Sequence, residues 1–214
     1  MAKIYYDRDA DLSVIKKKTI AIIGYGNQGQ AQANNLRDSG CKVIIGSIKD
    51  ASYEQAVKDG FEVVDIPEAA KRGDIVHMLV PDEYQAPVYK EKIAPQMKKG
   101  KALCFSHGFN IHFKQIVPPK DVDVIMIAPK APGAILRRMY QKGSGTPGIL
   151  AVAHQDMVEL LRRKDLIPAA GVNAHGARPE DDSGSEPGQS LLVIMLAGLR
   201  VVFPDVGAVH TQVH

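Results

Sequence analysis

Short apolar runs alternate with helix-compatible segments along the chain as far as residue 156. Lys18–Gly24 (KTIAIIG) is rich in β-branched residues and ends on glycine, the pattern of a buried strand. Asn27–Ser39 follows as a helix with Ala31, Ala33 and Leu36 available for packing, and Gly40 stops it. The cycle repeats. Cys41–Gly46 predicts a second strand, Ala51–Asp59 a helix, and Phe61–Asp65 a third strand. Pro67 opens a short helix at a position where a missing N–H costs nothing. Asp74–Val80 predicts a fourth strand, and Glu83–Lys98 a helix interrupted at Pro87 and Pro95. Lys101–Phe105, Val122–Ala128 and Gly148–Ala153 complete the strands. Strands that alternate with helices at such short intervals imply an α/β fold, a doubly wound, mostly parallel sheet covered on both faces. Ligands in such folds bind beyond the carboxyl ends of the strands, so the residues just after each strand carry the most information.

Directly after the first strand stands Gly24-Tyr25-Gly26-Asn27-Gln28-Gly29, a G-x-G-x-x-G sequence between a strand and a helix. In that context the first glycine allows a tight turn, the second lets backbone approach a pyrophosphate, and the third lets helix and strand pack closely. The free N–H groups of the helix start face the phosphates. A dinucleotide is therefore the expected ligand. The second strand should present a ribose-reading residue about 20 residues further on. Ser47 stands where an acid would select NAD, and Lys49 and Ser52 supply donors for a 2′-phosphate. These favour NADP(H). Asp50 in the same loop favours NAD(H), which stays open as the alternative.

The fourth strand runs into Pro81-Asp82-Glu83-Tyr84-Gln85, readable as polar residues over the cofactor's ribose or as a helix start capped by Asp82, with Gln85 three residues on. The fifth ends in Ser106-His107-Gly108-Phe109-Asn110-Ile111-His112-Phe113. His107 lies at the sheet's ligand end, beside a glycine that leaves it accessible, and imidazole titrates near neutrality. It is the candidate catalytic residue. His112 falls in an apolar run and reads as packing; His77, in mid-strand, reads as a buried structural residue. Cys104 reads as an inert small hydrophobe. After the sixth strand, Lys130 is a candidate anion contact and Gly133 a point of close approach to the cofactor.

Composition adds a discontinuity. Over the whole 214 residues, 45% hydrophobic and 24% charged positions describe an ordinary globular protein, and the net charge of +3 falls short of a nucleic-acid binder's basic excess. The longest apolar stretch, Leu191–Leu199, has nine residues where a membrane-spanning helix needs about 20. Two cysteines make no disulfide framework, and MAKIYYDRDADLSVIKKK has no apolar core of a secretory signal. The cytoplasm is the expected compartment. Residues 157–214 differ from what precedes them: they hold a single lysine, Lys164, and a single aromatic residue, Phe203. Gly171–Gln189 is dominated by Gly, Pro, Ser, Asp and Glu, the composition of a loop. The expected organisation is a dinucleotide-binding domain over 1–156 and a poorly structured tail over 157–214.

The glycine turn, the Pro81–Gln85 segment, the His107–Phe113 segment, Val117-Pro118-Pro119 and Asp121–Met126 together resemble ketol-acid reductoisomerase, also called acetohydroxy acid isomeroreductase, over Met1 to Asp156. The resemblance implies a Rossmann-like domain. It implies NADPH- and magnesium-dependent conversion of a 2-aceto-2-hydroxy acid into a 2,3-dihydroxy acid, by alkyl migration and ketone reduction, in branched-chain amino-acid biosynthesis. It places Tyr25, Gly26, Asn27 and Gln28 in the pyrophosphate turn and Ser47, Lys49 and Ser52 in the 2′-phosphate loop. It places Asp82, Glu83, Tyr84 and Gln85 in a second cofactor segment, Gly133 at a further contact, and His107 at the active site, where it moves protons or orders the polar network. The 2′-phosphate loop is shorter here and lacks the family's arginine, which again leaves NAD(H) as the alternative.

The same resemblance implies a second, all-helical domain carrying the carboxylates that bind magnesium. Glu180, Asp181 and Asp182 lie in the loop-like stretch and do not match that motif, so no metal ligand is assigned in this chain. The tail is expected to arise from a frameshift or truncation. Oligomerisation is implied for the family, with less force for a chain without that half. The expected partner is a small-molecule substrate, with no nucleic acid and no membrane; the runner-up function is a dinucleotide-binding module without catalysis.

Overall fold

In a computed structural model, residues 12–152 are described. A short helix α1 (Leu12–Lys16) leads into a seven-stranded sheet of order β3-β2-β1-β4-β5-β6-β7. The strands are β1 (Thr19–Ile23), β2 (Lys42–Gly46), β3 (Glu62–Val64), β4 (Ile75–Met78), β5 (Ala102–Phe105), β6 (Asp123–Pro129) and β7 (Gly148–Val152). The first six run parallel; β7 closes the edge antiparallel to β6. The helices between them are α2 (Asn27–Asp38), α3 (Ala51–Lys58), α4 (Ile66–Arg72), α5 (Asp82–Val88), α6 (Phe109–His112) and α7 (Gly133–Gln141). The tail, with its expected origin and its acidic triplet, lies outside the described residues.

The strands are apolar because both faces of the sheet are covered. Along β1, Ile20 and Ile22 enter one core cluster and Ala21 and Ile23 the other, the period of two that a strand imposes. β4 and β5 are buried at every position. His77 is one of those positions, 1% exposed, and faces the cluster that contains Ile75 and Cys104. It is the structural residue expected from its place in the strand. Burial also pushes the Cys104 thiol well above its ordinary range, consistent with an inert core residue.

Where the structure departs from the pattern, the causes are local. Pro87 lies inside a continuous α5 and does not interrupt it; the backbone widens just afterwards into a π-helical turn (Tyr89–Ile93) and then a 3-10 turn (Ala94–Gln96) at Pro95. A proline takes away one helical donor, and the chain re-registers downstream. Helices α6 and α7 have no counterpart in the pattern reading. α6 is one turn long, too short for a periodicity. α7 packs across α2, where Arg137 donates to Asn35 and Asp38 and the Ser39 and Tyr140 hydroxyls meet at 2.7 Å. Leu136 and Tyr140, four residues apart, were its signal.

Candidate functional site

The order in which strands are added reverses between β1 and β4, which stay parallel, so the loops after these strands diverge and leave a crevice at their carboxyl ends. The glycine turn forms one wall. Gly24 has φ +95°, a left-handed conformation, and a Cβ there would lie 2.8 Å from Val80 Cγ1. At Gly29 a Cβ would lie 2.2 Å from the Gly24 carbonyl oxygen, so only glycine lets α2 begin this close to β1. A Cβ at Gly26 would meet nothing within 4 Å, the open space an incoming group requires. No side chain caps α2, and Gln30 N, bonded to Gly26 O, is its first satisfied donor. The N–H groups before it are left for a ligand.

Gln28, Val80, Asp82, Gln85, Ser106 and His107, with Met78, Leu79 and Pro129, line the pocket at this crevice. It brings together side chains from the glycine turn, the end of β4 and the end of β5. Gln28 is tied on both sides: it donates to Ala131 O, and its Oε1 accepts from Gln32, which also donates to Ser106 Oγ. Ser106 Oγ meets His77 Nε2 at 3.3 Å. A partly buried polar chain thus runs from the turn to the ends of β4 and β5. Burial holds His77 neutral by pushing its pKa down to about 3.

At the lip of the crevice His107 Nδ1 lies 2.7 Å from Asp82 Oδ2, with the imidazole side chain 66% exposed. Gln85 Nε2 donates to Asp82 Oδ1 and to Val80 O, and Asn110 Nδ2 donates to Gln85 Oε1 and to Asp82 O. Asp82 is therefore not the side-chain cap of α5. That position is Pro81, with no side-chain cap bond, and Asp82 is the first helical residue, its carboxylate turned to His107. Asp82 and Gln85 face the crevice; Glu83 and Tyr84 are exposed and do not line it. His112 is exposed against Phe113 rather than packed in a core.

Two other expected contacts look different in three dimensions. The Tyr25 ring is buried against Phe61, and its hydroxyl donates to Asp59 and accepts from Asn34. Desolvation and then Asp59 raise its pKa far above the ordinary phenol range. Only its backbone belongs to the turn. The close neighbour of Gly133 is Asn27: a Cβ at residue 133 would fall 1.9 Å from Asn27 O, and Ala134 N donates to Asn27 Oδ1.

Beyond β2 the Ser47 and Ser52 hydroxyls are 3.4 Å apart, and Lys49 stands exposed in the same loop. Asp50 caps α3: its Oδ1 accepts from Ser52 N, Tyr53 N and Ser52 Oγ. The Ser52 hydroxyl first, and then the backbone donors, keep its carboxyl below the usual range. Residues that the pattern reading did not single out are Gln32, Ser106 and Asn110. Each had a spacing signal, one turn after Gln28, directly before His107, and three residues after it.

Among the described residues no group of three or more His, Cys, Asp or Glu side chains is arranged to hold a metal ion. No helix among them is long and apolar enough to cross a membrane.

Residues 14–177 match the family described as acetohydroxy acid isomeroreductase, NADPH-binding domain. A ketol-acid reductoisomerase (NADP(+)) of Petrotoga mobilis is 57% identical over 173 residues, 80% of this chain and 52% of that protein. The solved structure of an NADH-preferring ketol-acid reductoisomerase from an uncultured archean superposes with a TM-score of 0.71 at 55% identity, over 74% of this chain and 50% of that one. A semialdehyde dehydrogenase NAD-binding protein from Cupriavidus necator, at 20% identity and a TM-score of 0.56 over 67% of this chain and 56% of that one, shares the fold. The chain spans about half the length of the reductoisomerases it matches.

Proposed function

The chain belongs to the acetohydroxy acid isomeroreductase family, and from that premise we propose that it binds NADP(H) in the crevice between β1 and β4 and presents the nicotinamide to the His107 edge. The observation that carries this reading is the glycine turn, where Gly29 and Gly24 bring an uncapped helix start against β1 with open space at Gly26. The backbone of Gly26, Asn27 and Gln28 would hold the pyrophosphate. Ser47, Ser52 and Lys49 would meet a 2′-phosphate, and Asp82 and Gln85 would flank the nicotinamide end.

When bound, the cofactor supplies a hydride. The chain's own residues do the rest. The turn orients the dinucleotide, the Gln28–Gln32–Ser106 chain fixes the crevice floor, and His107 holds or moves a proton at its imidazole. In the whole family protein this serves rearrangement and reduction of a 2-aceto-2-hydroxy acid. The described residues do not fit magnesium, since no carboxylate cluster is present among them, and no step is assigned to a metal here.

NADP(H) is favoured over NAD(H) because the Oδ1 atom of Asp50 is engaged by three donors of its own loop, leaving Lys49 as the loop's free-standing cation. Titration of the full chain with NADPH and with NADH, followed by nicotinamide fluorescence, tests both points. Saturable NADPH binding tighter than NADH binding is expected. Lys49→Ala should weaken NADPH about 3–10-fold and leave NADH unchanged, as loss of one exposed charge contact implies. Equal affinities for the two cofactors, unmoved by Lys49→Ala, would reverse the preference.

A further inference from the structure

We propose that Asp82 is a positioning residue for His107. It fixes the proton of the neutral imidazole on Nδ1 and turns the bare Nε2 into the crevice as the atom that accepts a proton. Its catalytic meaning rests on the function proposed above; its structural content does not.

The two residues are far apart in sequence and meet because β4 and β5 are neighbours in register. Met78 pairs with Phe105, so the chain leaves both strands at the same height. Four residues beyond Met78 lies Asp82, and two beyond Phe105 lies His107. The resulting Nδ1···Oδ2 distance of 2.7 Å is in the range of a charge-assisted hydrogen bond. A carboxylate has no proton to give, so in a neutral ring the bridging hydrogen must belong to Nδ1. Nε2 is then an acceptor.

The carboxylate is not a casual surface contact. Its other oxygen receives Gln85 Nε2 at 3.0 Å, and Gln85 is 3% exposed. Each hydrogen of that amide nitrogen has an acceptor, Asp82 Oδ1 or Val80 O, and Gln85 Oε1 receives Asn110 Nδ2 at 3.0 Å. Asn110, fully buried, gives its second hydrogen to Asp82 O. Rotating either amide by half a turn would set oxygen against oxygen, so the amide directions follow from their partners. Two buried amides thus hold the Asp82 carboxylate in one orientation, with Oδ2 directed at the ring. An arrangement that existed only to start α5 would not need the second oxygen to be placed so closely.

The full chain, labelled with ¹⁵N and free of cofactor, provides the test. Long-range ¹H–¹⁵N correlation spectra at a pH where the ring is neutral report which imidazole nitrogen carries hydrogen, and His107→Gln identifies the signal by its loss. The wild type should show Nδ1–H as the majority form. Asp82→Asn should invert it. Gln85 keeps the amide oxygen at the Oδ1 site, so the amide NH₂ faces His107, demands a bare Nδ1, and drives the hydrogen to Nε2. If Asp82→Asn fails to fold, Asp82→Ala removes the acceptor without adding a donor and should lose the Nδ1–H majority. An Nε2–H majority in the wild type overturns the proposal, as does a tautomer that neither variant moves. Loss of NADPH binding by the wild type would overturn the proposed function and leave the tautomer result standing; the converse also holds.

Discussion

Gly29→Ala should abolish measurable dinucleotide binding and destabilise the protein, whereas Gly26→Ala should weaken binding alone. The Cβ of an alanine at residue 29 would lie 2.2 Å from Gly24 O and 3.1 Å from Gly24 C. These are backbone atoms and cannot rotate away. Gly24 is itself held, with φ +95°, the Val80 side chain against its Cα, and its N–H bonded to Gly46 O. Relief therefore requires α2 to move off β1. Overpacking of this kind costs about 1–3 kcal/mol or more, and the displaced helix start no longer addresses the pyrophosphate. At Gly26 the backbone (φ −77°, ψ −161°) suits any residue, and a Cβ meets nothing within 4 Å. Stability should stay within about 0.5 kcal/mol, while the methyl group enters the space reserved for the ligand and weakens NADPH at least about tenfold. Urea denaturation and fluorescence titration of the two variants separate the effects. Wild-type binding by either variant would remove the glycine turn from the cofactor site.

The second large effect concerns pH. His77 is held neutral by burial between apolar strands, its pKa pushed down to about 3 against an ordinary value of 6.5. Between those values the unfolded chain takes up a proton that the native protein refuses, so native stability falls as the pH falls. The slope for one such group is about 1.4 kcal/mol per pH unit, and the full range amounts to about 4–5 kcal/mol. His77→Leu removes the titrating ring and leaves Ser106 Oγ still bonded to Gln32. The stability difference between wild type and variant should therefore shift by about 2 kcal/mol in the variant's favour from pH 7 to pH 5. Parallel pH profiles would show that His77 is protonated in the native state or solvated there.

Much of this architecture is legible in the chain because parallel strands buried on both faces must be apolar throughout. KTIAIIG, CKVIIG and DIVHMLV announce themselves, and the residues that follow them form the crevice. What escapes reading is set by partners distant in sequence. α7 is a short helix whose buried face is small, Gly133 and Leu136, and its attachment to α2 runs through Arg137 and Tyr140. The Tyr25 side chain reads as part of the turn, yet it is drawn away by Asp59, 34 residues on. Asp82 reads equally as cap or as cofactor contact. Only the pairing of β4 with β5 brings it to His107, and only burial of Gln85 and Asn110 shows that its orientation is held.

One dinucleotide is expected to lie across the carboxyl ends of β1 and β4, with its phosphates on the glycine turn and its nicotinamide beside His107. Amide and imidazole chemical-shift mapping of the ¹⁵N-labelled full chain during NADPH titration reads this directly. The largest shifts are expected at the amides of Gly26, Asn27 and Gln28, with a second group at Ser47 and Ser52 and a third at Asp82, Gln85 and the His107 ring. Saturable shifts that spare the glycine turn, or no shifts at millimolar NADPH, would contradict it.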